Sequence, residues 1–344
     1  MSTEGSTRAI VAAFLANLGI AIAKFVAFLA TGAASMLAES IHSVADTGNQ
    51  ALLILGGRKA RRPPTALHPF GFGHERYFWA FLVAVVLFTV GSLFALYEGF
   101  DKLRHPHELE SPVWAISVLV VAIVLEGFSL RTAVIESNKV RRRGQGWWSF
   151  VRRTKTPELP VVLLEDVGAL LGLVFALAGV TLAVVTHEPR FDAVGSIAIG
   201  LLLGVIAIIL GREMRSLLIG EAAGRRDVAK IRGAVETTDG VRRLIHQRTM
   251  HLGPDELLVA AKLELDPSLT FEQVVEVINR TEQRIRSAVP TAHLIYLEPD
   301  AYDERRASKP TEPAEPSHPD EPSEPPGPGI ATEPTEQAKT PPAR

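Results

Sequence analysis

Six stretches of about twenty mostly apolar residues follow one another through the first two thirds of this chain, at roughly 9–30, 33–56, 77–100, 113–135, 158–186 and 192–211. A hydrocarbon layer of about 30 Å needs roughly 20 such residues per helix. Any one stretch could equally be a buried core helix, but six in succession point to a bundle of membrane spans. Glycines interrupt them, as is common in membrane helices. Gly200 and Gly204 have the GxxxG spacing that lets helix backbones approach closely.

The charged residues orient these spans. The connection after the second stretch holds Arg58, Lys59, Arg61, Arg62 and Arg76, and the one after the fourth holds Lys139, Arg141, Arg142, Arg143, Arg152, Arg153 and Lys155. The opposite connections hold only Lys102 and Arg104, then Arg190. The excess of cations on one side places both termini in the cytoplasm. The N-terminal MSTEGSTRAI runs directly into apolar sequence, so no cleavable signal is expected. A net charge of −2 gives no reason to expect nucleic-acid binding, and the absence of cysteine excludes disulfides and thiolate metal ligands.

After Arg212 the pattern becomes that of a water-soluble domain. RRDVAKIRGAVETT reads as an amphipathic helix, GVRRLIHQRTMHLGP and DELLVAAKLELD as two strands joined at a Gly-Pro turn, SLTFEQVVEVINRTEQRIRSAV as a helix capped at Ser268 or Thr270, and TAHLIYLEP as a last strand. The order α-β-β-α-β suits a small two-layer α+β domain. The expected division is a transmembrane domain over 1–212, a cytoplasmic domain over 213–305, and a tail over 306–344. That tail, rich in Pro and Glu, lacks the apolar residues to form a core and reads as disordered.

The second stretch, LAESIHSVADTGNQALLIL, has a polar middle. His42 and Asp46, four residues apart, stack on one helical face. Such a helix is either a wet catalytic element or an ion site within the bilayer, where an unpaired carboxylate costs several kcal/mol and usually lines an ion or proton path. One imidazole and one carboxylate make half of a tetrahedral zinc site, although a hydrogen bond within the helix would also join them. The fifth stretch, LPVVLLEDVGALLGLVFALAG, carries Glu165 and Asp166. Adjacent residues point about 100° apart on a helix. Glu165 lies on the stripe of Gly168, Gly172, Ala176 and Gly179, and Asp166 lies beside it.

Residues 8 to 305 resemble the cation diffusion facilitator family of proton-coupled divalent-metal exporters. The resemblance rests on six spans, the His42-x-x-x-Asp46 pair, the segment HPFGFGHERYFWAF before the third span, and the α-β-β-α-β order. It implies a six-helix transmembrane bundle with a ferredoxin-like cytoplasmic domain, a homodimer, and metal held between the second and fifth helices in exchange for protons. It carries over His42, Asp46 and Asp166 as metal ligands. The family's His or Asp four residues before that last ligand is Val162 here. A subgroup with Leu-Leu-Glu-Asp at this place resembles the chain more closely, and zinc carriers are known within it. Glu165, Asn49 or water remain as the fourth donor. Asn49 is offset from the His42–Asp46 face.

The resemblance implies zinc as the transported ion, with Mn, Fe, Co and Cd as alternatives, no enzymatic activity, and a multi-pass location in a bacterial plasma membrane. Accessory metal sites look degenerate. His68 keeps one family position, but Phe72 and Thr65 stand where further ligands would be, and His74 reads as a surface or salt-bridge residue. Tyr296 replaces a histidine of the soluble domain, although Glu298 remains, and His246 and His251 fall on opposite faces of a regular strand. Glu126 in the fourth stretch suits either a proton path or a buried hydrogen bond. The rival functions are an intramembrane metalloenzyme, which would need an activating base beside an open metal position, and a metal sensor without flux.

Overall fold

A computed structural model of the 344-residue chain describes residues 34–106, 112–142 and 144–302, with scattered positions between 14 and 29. Most of the expected first span and the tail beyond Tyr302 therefore lie outside the described residues.

The first helix described in full is α1 (Ala34–Ala60). The helical part continues through α2 (Glu75–Arg104), α3 (Pro112–Val140), the short α4 (Trp147–Arg153), α5 (Glu158–Thr186) and α6 (Arg190–Ile219). Among the described residues, four helices are long and apolar enough to cross a bilayer: Glu75–Arg104, Ala115–Val140, Glu158–Thr186 and Arg190–Ile219. Their outward positions, such as Phe94, Val121, Phe128, Val185 and Leu201, are exposed apolar side chains, as a lipid-facing surface requires.

Small residues position α6 against its neighbours. It packs along α5 and along α2, while α3 packs on α5 and α1 on α2. A Cβ at Gly200 would strike Leu96, one at Gly204 would strike the Ser92 hydroxyl, and one at Gly179 would meet the Phe191 carbonyl oxygen at 2.9 Å. Close backbone approach is how membrane helices gain dispersion contacts without a hydrophobic drive between them. Where α2 meets this face, residues Leu87–Leu93 adopt a π-helical turn, and Ser92 Oγ donates to the Gly200 carbonyl at 2.8 Å.

Two elements differ from the sequence expectation. The last span continues to Ile219, because Met214 and Leu217 bury in the same core as Tyr77, Phe150 and Leu210 although Arg212, Glu213 and Arg215 lower the local hydropathy. Within the basic stretch expected to be a loop, α4 buries Phe150 and Val151 and presents Arg152 and Arg153 at its end. Trp147 there lies under the Arg141 guanidinium at 4.3 Å. An aromatic and basic short helix suits the membrane–water boundary.

The cytoplasmic domain consists of α7 (Arg225–Glu236), β1 (Val241–Gly253), β2 (Glu256–Leu265), α8 (Phe271–Ala288) and β3 (Ala292–Pro299). The sheet order is β1-β2-β3, with β1 and β2 antiparallel around Pro254-Asp255 and β2 and β3 parallel. Alternate β2 residues Leu257, Val259, Ala261 and Leu263 are buried and share a core with Ile231, Val235 and Ile285 of the two helices. Thr270 is the cap of α8, closing a capping box with Gln273, a feature worth about 1 kcal/mol.

Candidate metal centre

Pro157 and Pro160 open α5 where a helix has no need of their missing N–H groups. From there α5 carries Glu165 and Asp166 inward, where their side chains are 6% and 2% exposed. Each is held by a neutral donor from a different helix. Asn49 Nδ2 of α1 donates to Glu165 Oε1 at 2.9 Å, and Ser129 Oγ of α3 donates to Asp166 Oδ2 at 3.0 Å. Among the described residues, the second Glu165 oxygen and the Asn49 carbonyl oxygen are buried without a hydrogen-bond partner, as are both amide atoms of the neighbouring Gln50.

Two further acids close in from the same helices. Half-buried Asp46 lies one helical turn before Asn49 on α1, and Glu126 lies one turn before Ser129 on α3. Asp46, Asp166 and Glu126 are near enough to act electrostatically on Glu165, and Asp46 acts on Asp166. Three helices thus converge acidic side chains in a region of low dielectric, where such charges repel strongly unless neutralised.

Of the four predicted ligands, the structure brings Asp46, Glu165 and Asp166 into one region. His42 lies on α1 one turn before Asp46, but its side chain is outside the described residues. Among the described residues, no three His, Asp or Glu side chains form a group that could hold a metal ion. Sequence reasoning left Ser129 unnoticed and treated Asn49 only as a weak ligand. Their spacing of three residues from Glu126 and Asp46 was the available signal.

The accessory positions are dispersed. His68 is exposed, its ring tilted against Phe72 with centroids 4.7 Å apart. His74 is a correction to the surface or salt-bridge expectation: it is half-buried, edge-on to Tyr77 at 6.0 Å, and burial lowers its pKa. Tyr296 is exposed, and Lys262 engages Glu298 at 2.9 Å and Asp300 at 2.8 Å. His251 is buried near Glu221 and Lys155, away from half-buried His246.

Residues 10–219 match the family profile described as "Cation efflux transmembrane domain", and residues 224–300 match "Cation efflux protein, cytoplasmic domain". The chain belongs to the cation efflux, or cation diffusion facilitator, family. The human "Proton-coupled zinc antiporter SLC30A9, mitochondrial" (Homo sapiens) is 33% identical over 254 residues, which are 74% of this chain and 45% of that protein. "Metal tolerance protein C4" of Arabidopsis thaliana is 30% identical over 283 residues, 82% of this chain and 62% of that protein. "Cation-efflux pump FieF" of Serratia proteamaculans is 29% identical over 300 residues, 85% of this chain and 91% of that protein. The chain spans about half the length of the first of these relatives. This cation diffusion facilitator is a multi-pass membrane protein of a transporter family, not of a family of enzymes, and the intramembrane metalloenzyme is thereby set aside. Its domain of α-β-β-α-β order follows the transmembrane helices.

Proposed function

We propose that the protein exports a divalent metal, zinc in the first place, in exchange for protons. The observation that carries this reading is that Glu165 and Asp166 lie buried within electrostatic reach of Asp46 and, for Glu165, of Glu126, with the neutral donors Asn49 and Ser129 as their side-chain hydrogen-bond partners among the described residues. Such a group needs a cation, and a metal and protons are interchangeable there because metal ligands must be deprotonated to bind. The names of the relatives, a proton-coupled zinc antiporter and a cation-efflux pump, support the same reading.

In this reading His42, Asp46 and Asp166 are ligands and Glu165 is the fourth, which places the chain in the subgroup with Leu-Leu-Glu-Asp on the fifth helix. Histidine titrates near neutral pH. Metal arriving from the cytoplasm displaces protons from His42 and the carboxylates, the bundle rocks, and protons from the other side release the metal. The protein works as a homodimer joined through the cytoplasmic domain of residues 213–305, in a plasma membrane with both termini cytoplasmic.

The donor set itself favours one alternative. Three carboxylates to one imidazole is a harder site than a histidine-rich one, and oxygen ligands suit Mn(II). Uptake into proteoliposomes under a pH gradient tests both, with Zn, Mn, Fe, Co and Cd offered in turn. Zinc transport that ceases when the gradient is collapsed is the expected result. Mn(II) outcompeting Zn(II) at equal concentration would overturn the choice of metal, and binding without flux would turn the protein into a sensor.

A further inference from the structure

At the cytoplasmic end of the bundle lies a third buried acid. Glu158, in the first turn of α5, is 2% exposed, and Arg76, in the first turn of α2, is 6% exposed. Arg76 Nε lies 2.7 Å from Glu158 Oε1. Among the described residues, the second Glu158 oxygen and the buried hydroxyl of Tyr77 beside the pair have no well-aligned hydrogen-bond partner. The pair is thus held chiefly by one close charge contact between two helices.

Its position relates it to the metal centre. Glu158 and Glu165 are seven residues apart on one continuous helix, which is about 10 Å along the axis and nearly the same face. A cation moving inward along that face of α5 meets Glu158 before Glu165. The approach from the cytoplasm is also covered. Lys155 pairs with Glu221 just before α7, and the backbones of Gly73 and Gly253 touch so closely that a Cβ at Gly73 would fall on the Leu252 carbonyl. The β1–β2 turn thus rests on the segment that leads into Arg76.

We infer that Arg76 and Glu158 form the inner gate of the cation route, with Glu158 as the first carboxylate that an incoming divalent metal meets and Arg76 as a tethered cation that occupies it when the route is closed. Opening exchanges the guanidinium for the metal, which then passes two helical turns to the deeper acids. The inference rests on the transport reading above and adds to it a residue pair outside the metal centre.

The test uses the full-length protein in proteoliposomes with zinc under a pH gradient, beside equilibrium zinc binding in detergent. Replacing a buried ion pair by apolar groups of similar volume is usually tolerated, whereas removing one partner is not. The informative variant is therefore the double replacement Arg76→Met with Glu158→Met. A gate predicts at least a tenfold fall in flux with zinc affinity held within about twofold. Arg76→Lys keeps the charge and the pair but loosens the hold, and is expected to shift flux at least threefold at unchanged affinity. Wild-type flux in either folded variant overturns the gate and leaves the pair a structural tie. Wild-type vesicles that move no zinc would instead sink the transport reading itself, so the two failures are distinguishable.

Discussion

Two sets of buried carboxylates share α5, and they are neutralised differently. Glu158 has a guanidinium 2.7 Å away. Glu165 and Asp166, two turns deeper, have an amide and a hydroxyl, with Asp46 and Glu126 adding negative charge. Burying a charge pair costs several kcal/mol per ion before mutual attraction repays it. The outer acid carries its own counter-ion within the fold. Among the described residues the two deeper acids of α5 show only neutral side-chain donors, and a neutral hydrogen bond offsets only part of the loss of water. The lesson is that one helix buries acids in two ways: Glu158 beside a guanidinium, and Glu165 and Asp166 on neutral donors among the described residues.

The largest effect should follow from removing charge from the deeper set. Asp166→Asn keeps the shape and the possibility of a bond to Ser129 but takes away an anionic donor. Zinc flux is expected to fall to background, and zinc affinity by about a hundredfold or more. Near wild-type affinity would end the assignment of a metal to this site. Glu165→Gln asks whether the two adjacent acids are equivalent. As a ligand, Glu165 should lose a comparable share of affinity, because a neutral amide is a poor substitute for a carboxylate. Preserved zinc binding with slowed pH-driven flux would make Glu165 a proton carrier instead.

Smaller effects should come from the neutral donors. Groups that orient metal ligands typically contribute 10- to 100-fold in affinity. Asn49→Ala, which frees Glu165, and Ser129→Ala, which frees Asp166, are each expected to weaken zinc binding by about tenfold without abolishing transport. If neither substitution moves the binding isotherm, the hydrogen bonds hold helices together and do not aim ligands.

The contrast between the two acid sets was only half legible in the sequence. Long apolar runs and the alternation of Leu257, Val259, Ala261 and Leu263 follow from periodicity, so the membrane helices and the α-β-β-α-β domain could be read directly. Glu165 and Asp166 stood out because two acids interrupt an apolar run. Asn49 and Glu165 are 116 residues apart, and nothing local announces their bond. Arg76 was counted among the cations that orient the spans, and a charge tally says nothing about burial beside Glu158. The π-helical turn at Leu87–Leu93 is equally silent in LFTVGSL, since it is seen only where Ser92 meets Gly200 of α6. Features of this kind depend on partners distant in sequence, which a reading of single segments does not reach.

The smallest expected effect extends the comparison from buried acids to a buried base. His251, at the end of β1, is 8% exposed. Burial pushes its pKa down to about 4, with Lys155 adding to the shift and the Gly253 backbone, Glu221 and Asp227 opposing it. Unlike Glu158, it is kept neutral mainly by burial, which outweighs the nearby Glu221 and Asp227. Its folded pKa lies below the unfolded value of about 6.5, so between these values the unfolded chain binds the extra proton. Stability is unaffected above about pH 6.5 and falls as the pH drops toward 4, by on the order of 3 kcal/mol if this group acts alone. The fall should appear as acid-induced release or unfolding of the cytoplasmic domain, followed by thermal melting of the full-length protein in detergent from pH 8 to 4. His251→Phe fills the same space without a titrating group and should flatten that slope. A variant as acid-sensitive as the wild type would mean that carboxylates, and not the histidine under the β1–β2 turn, set the acid limit.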